Sequence, residues 1–168
     1  SNMSGKSTLL RSIGANTVLA LAGAPVRAGA LRLSPLALGA TLKIEDSLQA
    51  GRSRFYAEIL RIRAIVDIAR GPVPLLFLLD EILHGTNAAD RRTATQLVLA
   101  HLSRAGAFGM VTTHDPLIAP PDGARARHVH FSEELTSGAD AGLTFDYRVR
   151  EGPATSANAL AILRALGL

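Results

Sequence analysis

Apolar residues along this chain follow two patterns, helical spacing in some segments and uninterrupted runs in others. The clearest helix is predicted over 52–70, where apolar residues recur at helical spacing and Gly71-Pro72 ends the pattern. Its apolar positions are Phe55, Ile59, Ile62, Ile65, Val66 and Ala69. Further helices are predicted over 4–22, 89–104 and 155–166, the first with Leu9, Leu10, Ile13, Val18 and Leu21 as its buried positions.

Uninterrupted apolar runs predict buried strands over 75–79 and 108–113, because a strand covered on both faces carries apolar side chains at every position. A short strand at 129–131 and an alternating strand over 143–149 follow, whereas 23–42 is rich in Gly, Pro and Ala and is predicted to form loops and short strands. Strands that alternate with helices indicate the α/β fold class with a mainly parallel sheet.

The composition fits a single domain over residues 1–168, with 48% hydrophobic and 19% charged residues. No apolar run approaches the ~18 residues of a membrane-spanning helix, so no membrane segment is predicted. The net charge is only +4 and the arginines are scattered, which does not indicate a dedicated nucleic-acid surface. Cysteine is absent, so we expect no disulfide or thiolate metal site and a reducing, cytoplasmic location.

A candidate phosphate loop, Ser4-Gly5-Lys6-Ser7-Thr8, opens the first predicted helix. It matches the end of the pattern G-x-x-x-x-G-K-[ST], in which glycine lets backbone N–H groups face phosphate oxygens at the positive end of a helix. Lys6 would reach the β- and γ-phosphates and the Ser7 hydroxyl would bind Mg²⁺. We expect the pattern's first glycine and the strand before the loop to be missing from this chain. The alternative is an ordinary helix cap.

Two further motifs follow predicted strands. Asp80 and Glu81 come directly after the run 75–79, at the strand end where α/β sheets bind ligands. Asp80 would hold Mg²⁺, and Glu81 would orient or deprotonate an attacking water. His114 ends the next strand and would contact a γ-phosphate. The alternatives are an acidic helix cap and a loop histidine.

Taken together, these motifs resemble the ATPase domain of the MutS family, and the resemblance covers residues 1 to about 168. It rests on five segments in the family's order, namely 1–8, 51–58, 79–82, 85–87 and 113–114. An ABC transporter domain would carry an LSGGQ-like signature, whereas Gly51-Arg52-Ser53 has the MutS form.

The resemblance implies a three-layer P-loop NTPase sandwich of the ABC/MutS type, an ATPase activity, and ATP and Mg²⁺ as ligands. The implied phosphate-binding residues are Asn2, Met3, Ser4, Gly5, Lys6, Ser7 and Thr8. It also implies a homodimer in which each nucleotide lies between one phosphate loop and the partner's signature helix. The residues that would act across that dimer are Gly51, Arg52, Ser53 and Asn87. An alternative for Asn87 is the N-cap of the helix that follows it.

The segment 82–87 departs from the Gly-Arg-Gly-Thr-Ser-Thr of mismatch-repair members and looks like divergent members that lack the mismatch-reading domain. DNA would then be bound through domains absent from this chain. Two alternatives remain open at this point. One is a dimerisation or scaffold fragment unable to bind nucleotide, and the other is a different ABC-type ATPase head, such as an SMC-like one.

Overall fold

The computed structural model describes residues 5–42, 54–136 and 142–154. Its elements are α1 (Lys6–Leu21), β1 (Ala37–Thr41), α2 (Arg54–Ala69), β2 (Leu75–Asp80), α3 (Ala88–Arg104), β3 (Phe108–Thr112), β4 (Val129–Thr136) and β5 (Gly142–Glu151). They divide between a larger unit, Ser7–Ala124, and a smaller unit whose described residues are 5–6, 125–136 and 142–154. No helix in these ranges is long and apolar enough to cross a membrane.

The larger unit is built on a parallel sheet in the order β1–β2–β3. All residues of the central strand β2 are buried, which explains its uninterrupted apolar sequence. Leu75, Phe77 and Leu79 pack in one cluster with residues of α2 and α3. Leu76 and Leu78 pack in a second cluster with Leu10 of α1. Helices therefore cover both faces of the sheet, and the predicted α/β class with a parallel sheet is confirmed for this unit.

Helix α1 packs differently from the prediction. Leu10 is buried as predicted, but Val18 and Leu21 are 54% and 46% exposed. The buried face is completed by Gly14 and Thr17 instead. A Cβ atom at Gly14 would lie 3.1 Å from Leu78 Cδ1, so this helix approaches the sheet through a small residue. The apolar spacing missed this face because glycine and threonine carry no hydrophobic signal.

The smaller unit contains an antiparallel pair, β4 and β5, with a register irregularity between Phe131 and Glu133. Both strands are longer than the predicted ranges 129–131 and 143–149. In the larger unit, β1 lies in a segment that was predicted as loops and short strands. The terminal helix predicted over 155–166 lies outside the described residues.

Candidate active site

The first part of the site is a buried carboxylate at the end of β2. Asp80 is 7% exposed and lies opposite Thr112 of β3 in the parallel register. The Thr112 hydroxyl donates a hydrogen bond of 2.6 Å to Asp80 Oδ1. A buried carboxylate needs such donors because leaving water without them is costly. The pairing of β2 with β3 therefore positions one oxygen of Asp80.

The neighbouring carboxylate, Glu81, lies between two histidines. His114 Nε2 is 2.5 Å from Glu81 Oε1, and His84 Nε2 is 3.1 Å from Glu81 Oε2. The Glu81 side chain is 12% exposed, whereas both histidines are considerably more open to solvent. The structure thus brings together Glu81 and His114, which the sequence analysis selected separately. The three side chains also line a pocket at this edge of the sheet, together with Thr112, Thr113 and Asp115.

The backbone after β2 is held in an unusual conformation. Glu81 and Leu83 have φ angles of 47° and 63°, in the left-handed region that non-glycine residues rarely adopt. The Glu81 N–H donates to Thr112 Oγ1 at 3.1 Å, and the Leu83 N–H donates to Glu58 Oε1 of α2 at 2.7 Å. Bonds from two different elements therefore hold this turn.

The loop after His114 is anchored to α3. Arg92 donates to both carboxylate oxygens of Asp115, from Nε at 2.8 Å and from Nη2 at 3.3 Å. The hydrogen bond from Arg92, followed by the one from the Leu117 N–H, lowers the pKa of Asp115 below its usual value. The Asp115 N–H in turn donates to Thr113 Oγ1 at 2.9 Å. These bonds fix the backbone on both sides of His114.

The described part of the candidate phosphate loop begins at Gly5, with Lys6, Ser7 and Thr8 in the first turn of α1. Gly5 has a φ of 99°, a conformation that suits glycine. Within the smaller unit, a Cβ atom at Gly5 would lie 3.0 Å from the ring of Tyr147, itself exposed and at a φ of 55°. The aromatic ring thus approaches the backbone of the loop directly.

The remaining predicted site residues either lie outside the described residues or, in the case of Asn87, cap a helix. Asn2, Met3, Ser4, Gly51, Arg52 and Ser53 lie outside the described residues. Asn87 is the N-cap of α3, and its side chain accepts a hydrogen bond of 2.9 Å from the Asp90 N–H. The N-cap interpretation of Asn87 is therefore confirmed, while its role across a dimer stays a prediction.

The sequence analysis did not assign roles to Glu58, Arg92, Thr112 and Tyr147. Glu58 lies in the quoted segment 51–58 and Thr112 in the predicted strand 108–113, and these were the only signals that could have pointed to them. Their contacts join residues 25 and 32 positions apart, respectively. No local pattern records such a pairing, so the contacts become visible only in the folded chain.

Comparison with known proteins identifies the family. Residues 1–168 match the family described as MutS domain V. The DNA mismatch repair protein MutS 2 of Halobacterium salinarum is 34% identical over 99% of this chain and 19% of its own length. The protein of the same name from Haloarcula marismortui is 32% identical, over 99% of this chain and 18% of its own length. The DNA mismatch repair protein msh3 of Emericella nidulans is also 32% identical, over 99% of this chain and 16% of its own length.

The similarity therefore extends along nearly the whole chain in all three relatives. The chain spans about a fifth of the length of the curated relative with 34% identity. The family match and the relatives agree with the resemblance carried by the motifs. This chain belongs to the MutS family and corresponds to its domain V.

Proposed function

We propose that this chain is the ATP-binding and ATP-hydrolysing domain of a MutS-like protein, with the P-loop NTPase fold of the ABC/MutS type. The observation that carries the proposal is the Glu81 carboxylate held between His114 and His84, next to the buried Asp80–Thr112 pair. A carboxylate at the end of a buried parallel strand, in contact with a histidine from the next strand, suits the positioning of a water molecule. The relatives, named as DNA mismatch repair proteins, support a role in DNA repair.

The phosphates of ATP would be bound at the start of α1. Its N-terminal N–H groups and helix dipole favour an anion there, and the Lys6 ammonium adds a full positive charge. The residues Asn2, Met3, Ser4, Gly5, Ser7 and Thr8 would complete the loop. The Ser7 hydroxyl and the Asp80 carboxylate are oxygen donors of the kind that Mg²⁺ prefers, so the residues fit this ion. When bound, Mg²⁺ would neutralise charge on the phosphate oxygens.

Hydrolysis of ATP to ADP and phosphate then depends on Glu81 and His114. Glu81 would orient the attacking water and accept its proton on a carboxylate oxygen. His114 contacts Glu81 Oε1 in this structure. If a bound γ-phosphate took the hydrogen bond of His114 Nε2, Glu81 Oε1 would become available to contact the water. His114 would thereby link the presence of the γ-phosphate to the readiness of Glu81.

We further propose, from the family resemblance, that the chain forms a dimer that closes on nucleotide. The segment Gly51-Arg52-Ser53 and Asn87 would then act on the partner's nucleotide, with Ser53 toward its γ-phosphate. The divergent segment 82–87 favours a member that lacks the mismatch-reading domain, and DNA would be bound by other domains. In mixed dimers, one subunit would carry both Lys6→Ala and Ser53→Ala and the other would be wild type. ATP hydrolysis at the wild-type subunit's phosphate loop is expected to fall relative to a dimer with Lys6→Ala alone, because Ser53 acts across the interface.

Calorimetry with Mg-ATP tests the proposal on the 168-residue chain. Wild-type protein is expected to bind, and Lys6→Ala is expected to lose binding because the phosphates lose their cation. Arg11→Ala, which removes an exposed positive charge from the same helix, serves as the control. Equal binding by wild type and Lys6→Ala would contradict the phosphate-loop assignment. Absence of binding by the wild type would favour the dimerisation or scaffold alternative.

A further inference from the structure

The segment that carries Glu81 is held under backbone strain. Positive φ angles at Glu81 and Leu83 are unfavourable for residues with a side chain, so other contacts must stabilise the turn. Ile82 and Leu83 are buried, which prevents the turn from relaxing outward into solvent without exposing apolar surface. The direction of the Glu81 side chain therefore depends on whatever fixes this backbone.

One of the two anchors comes from the adjacent strand. The Glu81 N–H donates to Thr112 Oγ1, and that hydroxyl donates to Asp80 Oδ1. This anchor holds the first residue of the turn against the sheet. It does not reach Leu83, two residues farther on, where the backbone is again in the left-handed region.

The second anchor comes from α2, through Glu58. Its Oε1 accepts the Leu83 N–H at 2.7 Å, and a hydrogen bond to a charged acceptor is stronger than one between neutral groups. One turn earlier on the same helix, Phe55 packs against Gly85, where a Cβ atom would lie only 2.9 Å from Phe55 Cβ. The start of α2 thus contacts the loop after β2 at two points.

We infer that Glu58 is a positioning residue that fixes the Glu81 carboxylate for catalysis. This inference rests on the proposed ATPase function. Glu58 accepts its hydrogen bond from the Leu83 backbone, so it acts on Glu81 through the turn.

Steady-state ATPase kinetics test the inference with three substitutions at one position. Glu58→Ala removes the acceptor and is expected to lower kcat by about ten- to a hundredfold, since small displacements of catalytic groups have effects of this size. KM for ATP should stay near the wild-type value, because the hydrogen bond of Glu58 is to the Leu83 backbone in the turn after β2. Glu58→Asp retracts the carboxylate and should also lower kcat. Glu58→Gln keeps an acceptor oxygen at the same distance along the side chain and should keep most of the wild-type kcat.

Asp67→Ala is the matched control. It removes a carboxylate from the same helix, but one that pairs with Arg63 and Arg70 on the surface. Its kcat should equal that of the wild type. The inference is overturned if Glu58→Ala and Glu58→Asp keep the wild-type kcat while Glu81→Gln is inactive.

Amide hydrogen exchange at Leu83 separates this inference from the proposed function. Loss of the Glu58 acceptor should accelerate exchange at Leu83 in Glu58→Ala, with no such change in Glu58→Gln or Asp67→Ala. If Glu81→Gln hydrolyses ATP normally, the proposed function fails, and the exchange data still decide whether Glu58 holds the turn. Unchanged Leu83 exchange in Glu58→Ala would overturn the positioning role, whatever the ATPase rates.

Discussion

The edge formed by β2 and β3 and the hairpin formed by β4 and β5 use the same types of charged residue in opposite ways. At the β2–β3 edge, Asp80 and Glu81 are largely buried and their partners come from distant positions in the chain. In the hairpin and just before it, the pairs Arg150–Asp146 and Arg127–Glu151 are much more open to solvent.

The difference shows where charged residues matter for this protein. Exposed ion pairs contribute little because water and salt screen them. When a buried polar group loses its hydrogen-bond partner, its full desolvation penalty destabilises the fold. Substitutions at the β2–β3 edge should therefore have large effects, and equivalent substitutions in the hairpin should have small ones.

The sharpest contrast is expected in ATP turnover. Glu81→Gln should lower kcat by about 100- to 10,000-fold, the usual contribution of a general base, while Mg-ATP binding persists. Glu151→Gln, the matched change in the hairpin, should leave kcat unaltered. Phosphate release under saturating ATP measures both. Normal turnover in Glu81→Gln would remove the basis for assigning Glu81 to the attacking water.

Substitution of apolar residues should likewise lower the free energy of unfolding by different amounts in the two regions. Leu79 is fully buried in β2, and Leu79→Ala should lower the free energy of unfolding by about 2–5 kcal/mol through loss of packing and creation of a cavity. Val149 of β5 is half exposed, and Val149→Ala should cost less than about 1 kcal/mol. Urea denaturation of both variants provides the measurement. Equal losses would mean that the hairpin is as tightly packed as the central strand.

A polar substitution tests the buried carboxylate. Thr112→Val keeps the shape of the side chain but removes the donor to Asp80 and an acceptor of the Glu81 N–H, and should cost about 1–3 kcal/mol of unfolding free energy. Thr93→Val is the control, because the exposed Thr93 hydroxyl bonds only the Ala89 carbonyl one turn earlier on α3. Thermal unfolding should show a clear decrease for the first variant and little change for the second. Similar melting temperatures would contradict the importance of the Asp80–Thr112 bond.

The smallest effect is expected from the pH dependence of the hairpin. The Arg150 hydrogen bond, followed by the Arg148 N–H, lowers the pKa of Asp146 from 3.8 to about 2. Because the folded-state pKa lies below the unfolded value, this carboxylate stabilises the fold above about pH 3.8 and loses that contribution as the pH falls toward 2.

Arg150→Ala should raise the pKa of Asp146 toward 3.8, as followed by carboxyl-carbon NMR during an acid titration. Arg61→Ala, on α2 of the larger unit, should not change it. An unshifted Asp146 pKa in Arg150→Ala would show that the pair does not form in solution.

Much of this protein follows from local sequence. Helices α2 and α3 and strands β2 and β3 lie within a few residues of their predicted bounds, because apolar spacing and uninterrupted apolar runs report burial directly. The capping role of Asn87 also follows from residue type and position. The motifs predict Asp80, Glu81 and His114 at strand ends. In the structure, Asp80 ends β2 and Glu81 follows it directly, whereas His114 lies in the loop just after β3.

Tertiary structure decided which of these groups touch. The sequence by itself determined the α/β class, the order of the elements from α2 to β3 and the residue types available for chemistry. The contacts of Glu81 with His114, of Asp80 with Thr112 and of Leu83 with Glu58 arise from strand register and from the packing of α2 against the loop. The burial of Gly14 in place of Val18 likewise reflects how closely α1 approaches β2. Local preferences act between near neighbours along the chain, whereas these distances are set by the packing of elements far apart in sequence.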